Sequence, residues 1–309
     1  MRAVTVRSTH GSELETVEVR EPVAAANEAV VEVHASSINR GELTLIATRA
    51  RGWVPGQDVA GVVIHAAGDG TGPLFGARVA GLAEQGAWAE RVSLPAHRLA
   101  EVPTKVSLEE AAALPMAGLT ALRTLRLAGT LLGKNVLVTG ASGAVGRLQV
   151  QLATVAGARV TAVAKDAVAA ELSALGASAV VPSPNEATGA YDVVLESVGG
   201  CSLPQALSVA APGANVVLFG ASNGEKSPLN IYDFIGHENI TIHTYLSYAY
   251  KGDDAADLRL LLDLTFRGLL DPGVNATFPL TSISDAVEFL TARKARGKVI
   301  LQPRLKEGA

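Results

Sequence analysis

From residue 135 onward, the sequence alternates between short apolar runs and segments with helical periodicity, and this alternation constrains the fold most. The apolar runs are mostly uninterrupted by polar residues, as is typical of strands buried on both faces. The predicted strands are NVLVTG, RVTAVA, SAVVP, YDVVLES, NVVLFG and NITIHTYL. Strands that alternate with helices predict a parallel sheet covered on both faces, and therefore an α/β fold.

A glycine-rich bend follows the first of these strands and opens a helix, in VLVTGASGAVGRLQVQLA at 136–153. Gly140, Gly143 and Gly146 allow a tight turn and a close approach of helix and strand. Amide groups at the helix N-terminus suit a pyrophosphate, so the segment predicts a dinucleotide site. The fingerprint G-x-G-x-x-G would place glycine at Ala141, whose methyl group we expect to hold the phosphates slightly farther out. The alternative is a turn selected only for packing.

The end of the second predicted strand indicates which dinucleotide is bound. An acid there holds the ribose hydroxyls of NAD, whereas a cation favours the additional phosphate of NADP. The strand ends at Val163–Ala164 and Lys165 follows, so we predict NADPH. Asp166, one position later, could instead approach a ribose, and Lys165 could be an ordinary exposed lysine.

The rest of the chain has a different pattern. Residues 1–100 contain short β-branched runs separated by turn residues, which predicts a β-rich region. A helical stretch follows, with Ser107 and Glu110 in capping-box spacing and Pro115 as a break. Two helices and a closing strand, KVILQP, make up the last part, which we expect to pack with the N-terminal region.

Composition excludes several classes of function. The formal charge is −4, without any run of Lys or Arg, which argues against nucleic acid or an anionic membrane as the main partner. Cys201 is the single cysteine, so an internal disulfide and a thiolate zinc cluster are excluded. The sequence shows neither an apolar signal core nor a spanning stretch, and we expect a cytoplasmic protein.

Eight motifs along the chain carry a resemblance to a known family. They are ASSIN (35–39), PGQDVAGVV (55–63), ARVAGL (77–82), AAALPMAGLTAL (111–122), VLVTGASGAVG (136–146), YDVVLESVGG (191–200), VLFG (217–220) and GKVIL (297–301). In this order they resemble the quinone oxidoreductase (zeta-crystallin-like) branch of the medium-chain dehydrogenase/reductase superfamily. They are also similar to the enoyl-reductase domains of polyketide and fatty-acid synthases.

The resemblance implies a domain organisation. A GroES-like β-barrel catalytic domain would comprise residues 1–116 and 250–309, and a Rossmann NADP-binding domain residues 117–249. In the family, the cleft between the two domains holds the nicotinamide. The family's sixth Rossmann strand pairs with its copy in a partner subunit, so the strand at 239–250 predicts a homodimer.

The resemblance also implies site residues. The candidates for catalysis are Asn39, Arg40 and Tyr245. The cofactor-binding candidates are Asn39, Thr120, Gly140, Ala141, Ser142, Gly143, Ala144, Val145, Gly146, Lys165, Ser197, Val198, Phe219, Gly220 and Ala221. Each has a simpler alternative, since Asn39 could cap a turn, Thr120 could bond within its helix and Phe219 could belong to the core.

Zinc-dependent relatives carry a Cys near Ser37 and a His-Glu pair near Gln57–Asp58, and this sequence has neither. We therefore expect no catalytic zinc, and we expect Gln57 and Asp58 to anchor the turn at Pro55–Gly56.

Three departures from the family concern specificity. The motif after Asn39 is NRGE, with Arg40 and Glu42. The predicted loop at 43–54 lacks a Tyr that often faces the substrate. A Lys common in the family is replaced by Val168, which weakens the case for NADPH. Trp53 could shape the substrate pocket or plug the surface.

Without a metal, hydride transfer requires an acceptor activated by conjugation. We therefore predict NADPH-dependent reduction of a quinone or an α,β-unsaturated carbonyl compound, a small-molecule substrate. Two alternatives stay open at this stage. One is a natural-product tailoring or cyclising enzyme, and the other is a non-catalytic NADPH-binding protein.

Overall fold

The computed structural model describes residues 1–8 and 13–303. The chain divides into two compact units. The first unit comprises Met1–Leu119, Gly252–Gly268 and the described part of Pro272–Ala309. The second unit comprises Thr120–Lys251 and Leu269–Asp271.

Strands and α-helices are numbered along the chain. The strands are β1 (Arg2–Val6), β2 (Leu14–Glu18), β3 (Glu28–Ile38), β4 (Asp58–His65), β5 (Arg78–Leu82), β6 (Arg91–Pro95), β7 (Leu99–Glu101), β8 (Asn135–Val138), β9 (Arg159–Val163), β10 (Ala179–Val181), β11 (Tyr191–Glu196), β12 (Ala210–Leu218), β13 (Thr241–Thr244), β14 (Val274–Pro279) and β15 (Lys298–Gln302). The helices are α1 (Arg40–Ile46), α2 (Leu108–Ala112), α3 (Pro115–Leu127), α4 (Ala144–Val155), α5 (Ala169–Ala174), α6 (Ser202–Leu207), α7 (Asp254–Phe266) and α8 (Ile283–Thr291).

The first unit is built on a seven-stranded sheet with the path β14-β15-β3-β4-β5-β7, and β6 pairs with β3. Strand β15 pairs antiparallel with β3, so the end of the chain packs with the N-terminal region as expected. One buried cluster lies among β3, β4, β5 and β6. A second cluster joins β1, β15 and α8 around Trp88, whose exposed fraction is 0%. This unit is the GroES-like domain that the resemblance implies.

The second unit contains a six-stranded parallel sheet in the order β10-β9-β8-β11-β12-β13. This is the Rossmann strand order, and its topological switch point lies between β8 and β11. All six predicted strands are present. The α/β fold class predicted from the alternation is therefore confirmed.

Local signals in the sequence explain the start of two helices. Ser107 accepts a hydrogen bond from the Glu110 N–H at 3.1 Å, and the Glu110 carboxylate accepts one from the Ser107 N–H at 2.8 Å. This reciprocal pair is a capping box, and it confirms the predicted start of α2. Helix α3 begins at Pro115, as expected for a residue that breaks the preceding helix.

The structure differs from the sequence-based expectations at three elements. Residues 43–54, predicted as a loop, begin within helix α1. Strand β14 was not predicted, and it pairs parallel with β15. The sixth Rossmann strand covers only Thr241–Thr244 rather than 239–250. Beyond Thr244, the neighbouring β12 has already ended at Leu218, so the ladder has no further partner.

Within residues 1–8 and 13–303, no helix combines the length and the apolar character that a membrane span requires.

Candidate cofactor-binding and active-site residues

The glycine-rich bend in the second unit joins β8 to α4 by close backbone contacts. Gly140 has φ = 59°, and a Cβ atom there would lie 2.9 Å from the Ser197 Oγ atom. A Cβ atom at Gly146 would lie 2.6 Å from both the Ala141 Cα atom and the Gly140 carbonyl oxygen. Glycine at these two positions therefore allows the backbone conformation at the bend and the close packing of α4.

Ala141, which replaces the first glycine of the fingerprint, is buried at the bend. Its exposed fraction is 0%, so its methyl group is packed inside the protein and adds nothing to the surface that a ligand would meet. Its backbone N–H donates to the Val163 carbonyl oxygen at 3.2 Å. This burial argues against a displacement of the phosphates by the methyl group, and the role of Ala141 at the diphosphate stays a prediction. Ala141 connects the bend to β9 through its backbone N–H.

The N-terminus of α4 offers backbone donors. Gly143 is the N-cap residue and makes no side-chain cap bond. The helical ladder starts with the Arg147 N–H, which donates to the Gly143 carbonyl oxygen at 3.0 Å. Because the first N–H groups of a helix have no partner within it, those of the Ala144–Gly146 turn are available to a ligand. Together with the exposed Gly143 and the partly exposed Ser142, this turn fits a diphosphate.

The loops after β11 and β12 lie beside the bend and are joined to each other. The Ser222 N–H donates to the Ser197 carbonyl oxygen at 2.9 Å, and the Asn223 N–H donates to the Val198 carbonyl oxygen at 3.0 Å. Gly220 packs closely, since a Cβ atom there would lie 3.0 Å from the Ser197 carbonyl oxygen. Among the other predicted residues, Phe219 is partly buried, whereas Gly220 and Ala221 are exposed. The structure thus brings these loops and Gly140 together at the switch point.

Glu196 holds the first of these loops, and the sequence analysis missed it. Its exposed fraction is 1%, and its carboxylate accepts hydrogen bonds from the Val198 N–H at 3.1 Å and the Gly199 N–H at 3.2 Å. The Thr139 hydroxyl also donates to it, at 3.2 Å. An acid that follows the apolar run Val193–Leu195 at the carboxyl end of β11 was the available signal.

Lys165 is exposed and follows β9 after the buried Ala164. The neighbouring Asp166 is also exposed and begins a short 3₁₀ turn, so both alternatives for the adenosine ribose lie at this position. Strand β9 pairs directly with β8, which places Lys165 and the glycine bend at the same edge of the sheet.

Thr120 and Tyr245 are both largely buried in the second unit, with exposed fractions of 8% and 6%. The Thr120 carbonyl oxygen accepts a bond from the Thr124 hydroxyl at 2.8 Å within α3. The Tyr245 ring lies 6.5 Å from the Tyr250 ring, which the Arg123 guanidinium covers at 3.6 Å. The cofactor-binding role of Thr120 and the catalytic role of Tyr245 stay predictions.

Asn39 and Arg40 belong to the first unit, at the start of α1. Arg40 is exposed. Asn39 is partly buried, and its side chain is held by two charged groups. The Lys298 ammonium donates to its Oδ1 atom at 2.7 Å, and its Nδ2 atom donates to the Asp58 Oδ2 atom at 2.9 Å.

Asp58 and Lys298 form a buried ion pair with an Nζ–Oδ2 distance of 2.9 Å. The side chains are 0% and 1% exposed. The Ser37 hydroxyl also donates to Asp58 Oδ2, and the Met116 N–H donates to Oδ1 at 2.6 Å. These bonds join Asp58 to β3, α3 and β15, and its expected role at the turn Pro55–Gly56 stays a prediction. Sequence reasoning missed Lys298, although a lysine that opens an apolar strand in GKVIL was a visible signal.

Glu42 lies beside this network and is fully buried. Its two carboxylate oxygens accept bonds from the backbone N–H groups of Asn39 and Gln57, each at 2.7 Å. Burial raises the pKa of the Glu42 carboxyl to about 8, and the charge of Asp58 acts in the same direction. The two backbone bonds and the Lys298 ammonium act in the opposite direction.

Comparison with known proteins identifies two matching domains. The alcohol dehydrogenase GroES-like domain matches residues 25–104, and the family described as zinc-binding dehydrogenase matches residues 144–265. The residues present do not fit zinc. Asp58 is engaged by Lys298, and within the described residues no group of three or more His, Cys, Asp or Glu side chains could hold a metal ion.

Individual relatives agree with these matches. Quinone oxidoreductase-like protein 2 of Bos taurus is 31% identical over 81% of this chain and 76% of its own length. The 2-methylene-furan-3-one reductase of Solanum lycopersicum is 30% identical over 81% of this chain and 63% of its own length. The quinone oxidoreductase of Thermus thermophilus, solved also in complex with NADPH, is 30% identical with a TM-score of 0.84, covering 98% of this chain and 100% of that one.

Polyketide synthases are also among the relatives, as the motifs indicated. The strand order, the glycine bend with its uncapped helix and these matches agree with one another. The chain is an oxidoreductase with a nicotinamide-binding fold, and it belongs to the quinone oxidoreductase branch of the medium-chain dehydrogenase/reductase superfamily.

Proposed function

We propose that this protein is a zinc-independent, NADPH-dependent reductase that transfers hydride to a quinone or to an α,β-unsaturated carbonyl compound. The observation that carries the proposal is the uncapped N-terminus of α4 at the switch point of the sheet, with the exposed Lys165 two residues beyond the end of β9 and ahead of Asp166.

Residues of the second unit would hold the cofactor. The N–H groups of the Ala144–Gly146 turn donate to the diphosphate, and Lys165 contacts the adenosine 2′-phosphate. Ser197 and Val198 line the switch point, where Glu196 fixes their loop. Bound NADPH supplies the hydride. The relative solved with NADPH supports this choice of cofactor.

The proposed class of hydride acceptor follows from the polar side chains that the first unit offers in place of a metal. A conjugated carbonyl accepts hydride at carbon without a metal, provided that the developing negative charge on oxygen is stabilised. We assign this task to the second N–H of the Asn39 amide, with Arg40 as the second candidate. Relatives named as a quinone oxidoreductase and as a furanone reductase support both acceptor types.

The direct test follows absorbance at 340 nm with purified protein, NADPH and a panel of simple quinones and enones. Acceptor-dependent oxidation with reduced product is the expected result. Tight NADPH binding without oxidation across the panel would favour a non-catalytic role, and a rearranged product with unchanged NADPH would favour a cyclising enzyme.

Cofactor choice is tested by Lys165→Ala. Because a hydrogen bond to a charged group contributes roughly 1.5–3 kcal/mol, kcat/KM for NADPH should fall about 10- to 100-fold while that for NADH changes little. Lys294→Ala, which alters another exposed lysine, is the matched control. Equal losses for both cofactors would contradict the assignment of Lys165 to the 2′-phosphate.

We also propose a homodimer that forms through β13, which is the last strand of its sheet. Large apolar side chains are exposed in the segments that precede and follow it in the chain, including Ile231 at 76%, Ile235 at 72% and Tyr248 at 80%. An exposed strand edge with apolar neighbours requires cover, and a second copy would provide it. Location in the cytoplasm stays a prediction from the sequence.

A further inference from the structure

We propose that Lys298 and Asp58 are positioning residues that lock the side-chain amide of Asn39 in one orientation, so that one of its N–H groups is a fixed donor. The inference deepens the proposed function and rests on it, because the locked donor serves catalysis only where Asn39 contacts the acceptor oxygen.

The orientation follows from the charges on the two sides of the amide. The Lys298 ammonium, which only donates hydrogen bonds, lies 2.7 Å from Asn39 Oδ1. The Asp58 carboxylate lies 2.9 Å from Asn39 Nδ2. A flipped amide would place its NH₂ group against the ammonium and its oxygen against the carboxylate. Both contacts would then be repulsive, so only one orientation is favourable.

The two clamping groups are themselves immobilised. The carboxylate of Asp58 accepts bonds from the Ser37 hydroxyl and from the Met116 N–H, in addition to those from Lys298 and Asn39. Because Lys298 and Asp58 are almost completely buried, water does not weaken their interaction as it does at a surface. The backbone of Asn39 is held as well, through the Glu42 carboxylate at 2.7 Å.

This arrangement leaves one N–H of the Asn39 side-chain amide available to donate to a ligand. The Nδ2 atom carries two hydrogens, and within the described residues only the Asp58 carboxylate accepts from it. Asn39 is partly exposed, unlike the residues that clamp it. The remaining N–H is therefore a donor whose direction is set before any substrate arrives, which is how a preorganised oxyanion contact is built.

The first test does not require activity. In the wild-type protein, the Asn39 side-chain amide resonances, assigned by their loss in Asn39→Ala, should exchange with water at least ~10-fold more slowly than those of the exposed Asn185. Lys298→Met should accelerate the exchange at Asn39 and leave Asn185 unchanged. Wild-type exchange at Asn39 as fast as at Asn185 would overturn the clamp.

The second test is a double-mutant cycle on kcat. Asn39→Ala should lower kcat by roughly 100-fold, as removal of an oxyanion donor does, and Lys298→Met by roughly 10-fold or more through misplacement. The combined variant should be no slower than Asn39→Ala within about twofold, because Lys298 acts through Asn39. If the losses in kcat of the two single variants multiply in the combined variant, Lys298 acts independently of Asn39 and has only a structural role. Lys294→Met is the control.

Two further variants keep the clamp testable if Lys298→Met does not fold. Lys298→Arg keeps the cation and should retain slow exchange at Asn39. The double variant Asp58→Asn with Lys298→Met removes both charges together and should lose the slow exchange at the Asn39 amide. If Asn39→Ala keeps the full rate while wild-type exchange is slow, the catalytic assignment of Asn39 is wrong and the clamp still stands.

Discussion

Among the single residues at the bend, Gly146 and Gly143 need to be small for different reasons. A side chain at Gly146 would meet the backbone of the bend itself, and backbone cannot move aside as a flexible side chain does. Gly143 has an ordinary negative φ of −77° and more room, since its nearest neighbour would lie 3.3 Å from a Cβ atom. A side chain at Gly146 would therefore disturb packing at the bend, whereas Gly143 lies where a ligand can approach.

Replacing Gly146 by Ala should reduce the free energy of unfolding by about 1–3 kcal/mol, because the added methyl group overpacks the contact of α4 with the bend. NADPH affinity should fall as well, since the first turn of α4 must shift. Urea unfolding and cofactor titration measure these effects. Gly143→Ala is the comparison variant and should lose clearly less stability, because its Cβ atom would lie 3.3 Å rather than 2.6 Å from the Gly140 carbonyl oxygen. Equal destabilisation of both variants would contradict the packing argument.

Glu42 should make stability depend on pH. Its pKa is about 8 in the folded protein and 4.5 in the reference state, so the folded protein holds the proton more tightly. Its contribution is therefore complete at low pH and is lost as the pH rises from 4.5 to about 8.

Unfolding in urea between pH 5.5 and 8.5 tests this directly. Within the window, the wild type should lose on the order of 1.4 kcal/mol per pH unit relative to Glu42→Gln, which cannot titrate at this position. A difference between the two proteins that stays constant with pH would show that Glu42 is ionised throughout.

At the scale of elements, helices differ in how much of the sequence signal for their first turn lies within a few residues. Helix α2 starts with a capping box that is readable from Ser107 and Glu110 alone. Helix α1 has the same N-cap spacing in Asn39 and Glu42, a local signal that was not used, and Glu42 also accepts a bond from the distant Gln57 backbone. Strand β13 ends where its neighbour ends, which no local pattern records.

The capping box gives a prediction for α2. Ser107→Ala removes the hydroxyl that accepts from the Glu110 N–H and should cost roughly 1 kcal/mol of unfolding free energy. Ser282, the N-cap residue of α8, makes no side-chain cap bond and provides the comparison. Urea unfolding of Ser282→Ala should show a clearly smaller change, and the reverse order would contradict the capping interpretation.

At the scale of the whole molecule, each unit has its own buried cluster, and the six-stranded sheet ends in the edge strands β10 and β13. Edge strands pair with other chains unless they are covered or charged. Strand β13 carries no charged residue other than the titratable His243, which leaves its edge suited to a second copy.

Light scattering at micromolar concentration should therefore give the mass of a dimer. Tyr248→Glu introduces a charge into the exposed apolar surface near β13 and should shift the protein towards monomer. Phe75 is 75% exposed in the first unit, so Phe75→Glu is the matched control and should stay dimeric. A monomeric wild type would refute the proposed dimer.

Parts of the candidate site that lie on one short segment could be predicted from the sequence. The bend from Gly140 to Gly146 and the position of Lys165 depend on strand, turn and helix signals within a few residues. The role of Ala141 could not be predicted, because its burial depends on contact with β9. The Glu196 carboxylate accepts bonds from the nearby Val198 and Gly199 N–H groups, but its third partner, the Thr139 hydroxyl, is brought to it only by the pairing of β8 with β11.

In the second unit, the alternation of strands and helices and the glycine bend were determined by the sequence itself, since hydrophobic periodicity, capping and turn chemistry act over a few neighbouring residues. The ordered motifs along the chain indicated the family. The network of Asn39, Asp58 and Lys298 was decided only by the tertiary structure. Lys298 and Asn39 are 259 positions apart in the chain, and they meet because β15 pairs with β3. A buried charge finds its partner through the folding of the sheet, so no local pattern could name it in advance.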